Sequence, residues 1–214
     1  MPWIQDRRYY FSNDQNPEQQ MTTVFLSGSR KISRLDEAVK IRLSTIVEKG
    51  FRVIVGDANG ADKAFQATLV SMDYTNVTVF CSGPECRNNI GQWNVKHVSV
   101  DTKLKGRTFY TQKDKAMAGE ADYGLVLWDG ESPGSISNVI EMLKRNKRVV
   151  VYLSPEKQFY AVSHLDDAKL LILRQSQKIE TFEGRFRPTT ERLREITEKG
   201  AKLLENATGS SAQQ

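Results

Sequence analysis

The chain has no apolar run approaching the roughly 20 residues that a membrane-spanning helix needs, so neither a spanning segment nor a membrane partner is expected. Sulfur is scarce, with two cysteines in 214 residues. So few read as a protein of a reducing, cytoplasmic compartment rather than a disulfide framework. Cys81 and Cys86 do not suggest a metal clip. No second cysteine pair accompanies them, and His97 and His164 are the only histidines. No metal and no cofactor is expected. The G-x-S-x-G turn of serine hydrolases is also missing. The leading residues are polar and aromatic, without the apolar stretch of a signal peptide. Residues 1–21 read as an extension outside the fold. The net charge of +5 is spread rather than gathered in a dense basic face. It suits an anionic ligand better than a nucleic acid.

What is present is alternation. Short β-branched and apolar runs at 22–27, 51–55, 77–81, 121–128 and 148–153 read as strands. A weaker run at 95–100 is a further candidate. Helical spacing occupies 35–49, 61–70, 107–119 and 136–146. Near-continuous apolar strands separated by helices predict a doubly wound, mostly parallel α/β sheet of Rossmann-like type, with helices on both faces. Residues 22–153 read as that domain. A C-terminal extension, 154–206, follows, with helical patterns at 165–173 and 190–206 that pack on the domain or on a second subunit. The small polar residues 207–214 read as a frayed tail.

Three strand ends carry small residues with acids or a base. They are Gly28-Ser29-Arg30, the loop Gly56-Asp57-Ala58-Asn59-Gly60-Ala61-Asp62, and Asp129-Gly130-Glu131-Ser132-Pro133-Gly134-Ser135. Parallel strands place their carboxyl ends on one edge, so these loops converge on one cleft. The last of them leads into a helix, whose unpaired N–H groups make an anion seat. Glycine lets the backbone approach a ligand closely. The Ser135 hydroxyl adds a donor, Arg30 supplies charge, and Asp57 or Asp129 can accept from ribose hydroxyls. Arg107 is a further candidate for a phosphate.

With Lys113-Asp114-Lys115-Ala116-Met117 ahead of the fifth strand, this set resembles the SLOG superfamily. That group holds the Lonely-guy phosphoribohydrolases, the DNA-processing protein A and many Rossmann-like relatives. The resemblance covers about 22–153. It implies a nucleotide or nucleotide-derived ligand, with its phosphate on Gly134-Ser135 and the following helix. Ser29, Arg30 and the Gly56 loop would hold the rest, with Asn59, Gly60, Asp62, Lys113, Gly130, Ser132 and Asn138 completing the binding set. The family's hydrolases carry a glutamate after the Gly-Thr pair and two intervening residues, and Asn138 stands there instead. Lys113 replaces the hydrolases' arginine, exchanging a bidentate fork for a point charge. Asp129, Glu131 or Glu141, with Asp57, are the carboxylates left to stabilise an oxocarbenium-like state.

The leading expectation is therefore a protein that senses or sequesters a nucleotide-derived small molecule. The alternative is a nucleoside-phosphate N-glycosidase or deoxyribosyltransferase. A DNA-binding protein is third. Related folds often pair, so a homo-oligomer is expected.

Overall fold

The computed structural model describes residues 21–100, 103–104 and 106–182, apart from the side chains of Arg107 and of residues 176–182. The reading of helix at 190–206, the tail and the extension at 1–20 lie outside these residues. The elements run β1 (Thr23–Gly28), α1 (Glu37–Glu48), β2 (Arg52–Gly56), α2 (Ala61–Ser71), β3 (Val77–Ser82), β4 (Asn94–Val98) and α3 (Gly106–Glu120), then β5 (Tyr123–Trp128), α4 (Pro133–Leu143), β6 (Arg148–Leu153), β7 (Gln158–Val162) and α5 (Leu165–Phe182).

They form one seven-stranded sheet in the order β4-β3-β2-β1-β5-β6-β7. Every pairing is parallel except β6 with β7. The expected Rossmann-like α/β fold is what the chain adopts. Helices cover both faces because the central strands are apolar on both. Phe25, Ile54, Phe80, Val126 and Val151 pack with α3, α4 and α5 on one side. Leu26, Val53, Val55, Val79, Leu125 and Leu127 pack with α1 and α2 on the other. No helix among the described residues is long and apolar enough to cross a membrane.

The structure departs from the sequence reading in four places. β7 comes from the stretch read as helical extension. Gln158-Phe159-Tyr160-Ala161-Val162 alternates too weakly to declare a strand, and it forms because β6 offers an edge, with Val150 opposite Ala161 and Tyr152 opposite Phe159. β4 is an exposed edge strand and stops at Val98, short of Val100. α4 begins at Pro133, three residues before the first apolar position, so Gly134 and Ser135 lie within its first turn. Proline at the first helical position costs no hydrogen bond, because that N–H has no intrahelical partner anyway. Finally, Cys81 and Cys86 are joined as a disulfide, with Cα atoms 5.2 Å apart. This corrects the reading of the pair as ordinary thiols: a separation of five residues closes across a loop at the end of β3.

The strand order reverses its direction of growth at β1. From β1 the chain proceeds through β2, β3 and β4 on one side, then returns to place β5 on the other. Doubly wound sheets bind ligands at such a point, at the carboxyl ends of the two central strands. Both loops of interest leave from there.

Candidate functional site

A cavity of about 240 Å³ opens at this switch point. Its floor is the end of β1, with Phe25, Ser27, Gly28, Ser29 and Arg30. One wall is the start of α4, with Ser132, Pro133, Gly134, Ser135, Ser137 and Asn138. The opposite wall combines Gly56, Ala58 and Asp62 with Arg87 and with Tyr110, Lys113 and Asp114 of α3.

The α4 wall is held by Asp129. Its Oδ1 accepts the N–H groups of Glu131 at 3.1 Å and Ser132 at 2.7 Å. Its Oδ2 accepts the hydroxyls of Ser29 and Ser132, each at 2.8 Å. The two hydroxyls stand 2.7 Å apart. Burial pushes this carboxyl up, but the bonds from Ser132, Ser29 and Glu131 outweigh it and hold it below the usual range. Asp129 thus ties the β5 loop to the β1 loop and does not line the cavity. A salt bridge from Lys31 to Glu131, at 2.5 Å, joins the same loops at the surface. Gly130 packs beneath them, near Gln175 and Leu153.

Gly134 and Ser135, in the first turn of α4, lack intrahelical acceptors for their N–H groups. The Ser135 hydroxyl is buried and has no hydrogen-bond partner. Buried polar atoms are nearly always paired. An unpaired one beside helix N–H groups, in the lining of a cavity, is a donor set for an anion. Asn138, one turn on, donates to Ser27 Oγ at 3.2 Å and closes the floor. Glu141 is turned away: it pairs with Arg145 in the turn that follows α4 and does not line the cavity.

The facing wall is an acid–base cluster built around Lys113, which is 3 % exposed. Its ammonium lies 3.2 Å from Asp114, 3.7 Å from Asp57 and 3.8 Å from Asp62. Burial lowers the lysine, but these three carboxylates outweigh it and keep it charged. The approach is so close that a Cβ on Gly56 would stand 2.5 Å from Lys113 Nζ. Gly60, at φ +85°, lets the α2 terminus close against the backbone of Arg30.

The two buried loop carboxylates have opposite fates. Asp57 is taken by Arg87, whose Nε and Nη2 donate to its two oxygens at 3.0 and 2.5 Å, while the Arg87 backbone N–H adds a bond of 3.1 Å. Burial raises Asp57, but this fork and Lys113 overcome it and lower the carboxyl overall. Asp62 accepts the Ala58 N–H at 3.2 Å and lines the cavity. Burial dominates there and pushes its carboxyl up to about 6 against the pull of Lys113.

The structure therefore gathers Gly28, Ser29, Arg30, Gly56, Asp62, Lys113, Ser132, Gly134, Ser135 and Asn138 around one cavity. Asp57, Asn59, Gly60, Asp129 and Gly130 support it from behind. Asn59, for instance, accepts from Asn88, which also donates to the Asp57 carbonyl at 2.7 Å. The side chain of Arg107 lies outside the described residues. Sequence reasoning passed over Arg87, Tyr110 and Asp114. Tyr110, Lys113, Asp114 and the buried Met117 follow i, i+3, i+4, i+7 spacing, so one helix face carries them toward the sheet, and that signal was available. Arg87 had none, because it depends on a loop that folds back from β3; its guanidinium lies 4.2 Å from the centre of the Tyr110 ring. Among the described residues no group of three or more His, Cys, Asp or Glu side chains is arranged to hold a metal ion. Searches of family models, curated proteins and solved structures find no match to this chain.

Proposed function

We propose that the protein binds a nucleotide or nucleotide-derived small molecule at the carboxyl edge of its sheet, to sense or sequester it. The observation that carries this reading is the buried, unpartnered hydroxyl of Ser135, a first-turn residue of α4 in the lining of a cavity at the topological switch point. A phosphate there receives the helix N–H groups and the hydroxyl together. Across the cavity Asp62 offers a carboxylate to a hydroxyl donor, the role first considered for Asp57 and Asp129. Those two are committed to Arg87 and to the loop N–H groups. One anion-accepting wall facing one hydroxyl-accepting wall suits a sugar phosphate. The resemblance to SLOG proteins supports the same ligand class.

Calorimetry of the full chain against AMP, cyclic AMP and ADP-ribose tests the proposal. Binding of at least one, lost in Ser135→Ala with the fold intact, is the expected result. Folded protein that gives no heat with any of them refutes it.

The second reading is N-glycosidic cleavage, and the observation favouring it is Asp62 rather than the acids first considered. A cavity-lining carboxyl poised near 6 is suited to moving a proton. Chromatography for free adenine after incubation with AMP tests it, and release abolished in Asp62→Asn is the expected signature.

A further inference from the structure

The loop that carries Arg87 begins at the disulfide. Cys81, one residue before the end of β3, is fully buried. Gly83, just past the end of β3, is fixed by β4: its N–H donates to the Val98 carbonyl at 3.2 Å, and its own carbonyl accepts from the His97 ring at 2.8 Å. Beyond Gly83 that support ends. Among the described residues, Pro84, Glu85 and Cys86 make no hydrogen bond or ion pair with the rest of the protein. The covalent link from Cys86 back to Cys81 is what fixes this turn. The next residue is Arg87, which clamps Asp57 and lines the cavity. Three residues further on, Ile90 N–H donates to Gln66 Oε1 at 2.9 Å and ends the folded-back segment.

A domain with a core of this size has no need of a staple, unlike the small scaffolds that depend on disulfides. A lone, reachable disulfide in such a domain fits a redox-responsive role better than a purely structural one. Cys86 is half-buried and Cys81 is not exposed at all, so attack falls on the Cys86 sulfur.

We propose that the Cys81–Cys86 disulfide is a thiol-responsive latch that holds Arg87 on Asp57 and thereby keeps one wall of the cavity assembled. Its consequence for ligand binding rests on the function proposed above; its effect on the loop does not. The chemistry is ordinary exchange with a small thiol or dithiol. The reductant's thiolate bonds to Cys86 Sγ, and the S–S bond breaks. The electron pair leaves on Cys81, which takes up a proton. A second thiolate then attacks the sulfur of the reductant in the mixed disulfide, and Cys86 leaves as a thiol. Two electrons pass to the protein, and the reductant ends as its own disulfide. With the link gone, residues 84–86 regain chain entropy, and the Arg87 clamp and the neighbouring Asn88 bonds must hold the loop closed by themselves.

Hydrogen exchange on the full chain tests the latch directly. The protein is oxidised with glutathione disulfide or reduced with dithiothreitol, and alkylation followed by mass measurement reports the state of the pair. Reduction is expected to speed exchange of the Arg87 and Ile90 amides about tenfold or more beyond the change at Val79 and Val151 in the core, whose amides report only global stability. Cys86→Ser should show the fast rates in both buffers; the wild-type comparison stands even where that variant fails to fold. Equal exchange at Arg87 and Ile90 in the two states overturns the proposal. So does a pair that stays alkylatable after oxidation. AMP titrated against both states reads the link to the site. Tighter binding to the oxidised form supports it, and equal binding refutes control of the site. No heat in either state counts against the nucleotide reading alone, because exchange still decides the latch.

Discussion

Asp62→Asn is expected to make the protein more stable at neutral pH. Asp62 is 5 % exposed. It gains one backbone hydrogen bond from Ala58, and Lys113 Nζ at 3.8 Å is beyond hydrogen-bond reach. Burial prevails, and the carboxyl moves from 3.8 to about 6. A displacement of that size corresponds to roughly 3 kcal/mol. The sign follows from proton binding. Between 3.8 and about 6 the folded protein keeps a proton that the unfolded chain has released. The stability attached to Asp62 is therefore complete below 3.8 and is lost as pH rises through about 6. Asparagine carries no charge to bury, so the variant escapes this loss while giving up some attraction to Lys113. The net gain expected near neutral pH is about 1–3 kcal/mol. Urea unfolding of both proteins, measured from mildly acidic to mildly alkaline buffer, reads it. The advantage of the variant should grow with pH across the carboxyl's range and vanish at the acid end. A variant less stable than wild type in neutral buffer shows that the lysine outweighs burial, and it refutes the reasoning.

Three further perturbations separate the roles of neighbouring residues. Ser135→Ala removes a buried hydroxyl that has no partner, so unfolding free energy should stay within about 0.5 kcal/mol of wild type or rise slightly, while AMP affinity by calorimetry falls at least severalfold. Arg87→Ala strips the fork from a carboxylate that is 1 % exposed; a loss of about 2 kcal/mol is expected in urea unfolding. The difference between the two proteins should narrow on acidification, because the stability that the lowered Asp57 carboxyl gives the wild type is lost as pH falls through its folded range, while in the variant Asp57 titrates closer to its ordinary range and has less to lose. Reduction of Cys81–Cys86 opens a short loop worth about 2 kcal/mol, and scanning calorimetry should show a melting temperature lower by about 4–8 °C.

The sheet was legible because its signal is local and redundant. Runs such as Val53-Ile54-Val55 and Val149-Val150-Val151 are apolar on both faces, which a parallel strand between two helical layers requires. β7 was not legible, because its pairing comes from the edge of β6 rather than from its own residues. The start of α4 was misplaced for a related reason: Pro133, Gly134 and Ser135 are poor helix formers, and what places them in the helix is the Asp129 network beneath them. The site divides in the same way. Loops at strand ends announced Gly28, Gly56 and Gly134 as neighbours. Which carboxylate would be free to meet a ligand could not be read, because that depends on Arg87 arriving from a loop that a disulfide folds back.

That arrival decides how the acids share their work. Asp57 and Asp62 sit five residues apart, both buried and both within 4 Å of Lys113. A single ammonium cannot neutralise both together with Asp114. Arg87 resolves the excess by taking Asp57, which leaves Asp62 as the carboxyl whose charge the fold compensates least. A ligand that donates a hydroxyl to Asp62 supplies the missing compensation and should lower its pKa on binding. AMP binding in weakly acidic buffer should then release protons, and calorimetry in buffers of different ionisation enthalpy measures them. Proton uptake, or no proton change at all across the range where Asp62 titrates, places the ligand away from Asp62 and leaves the Ser135 wall as the whole of the recognition surface.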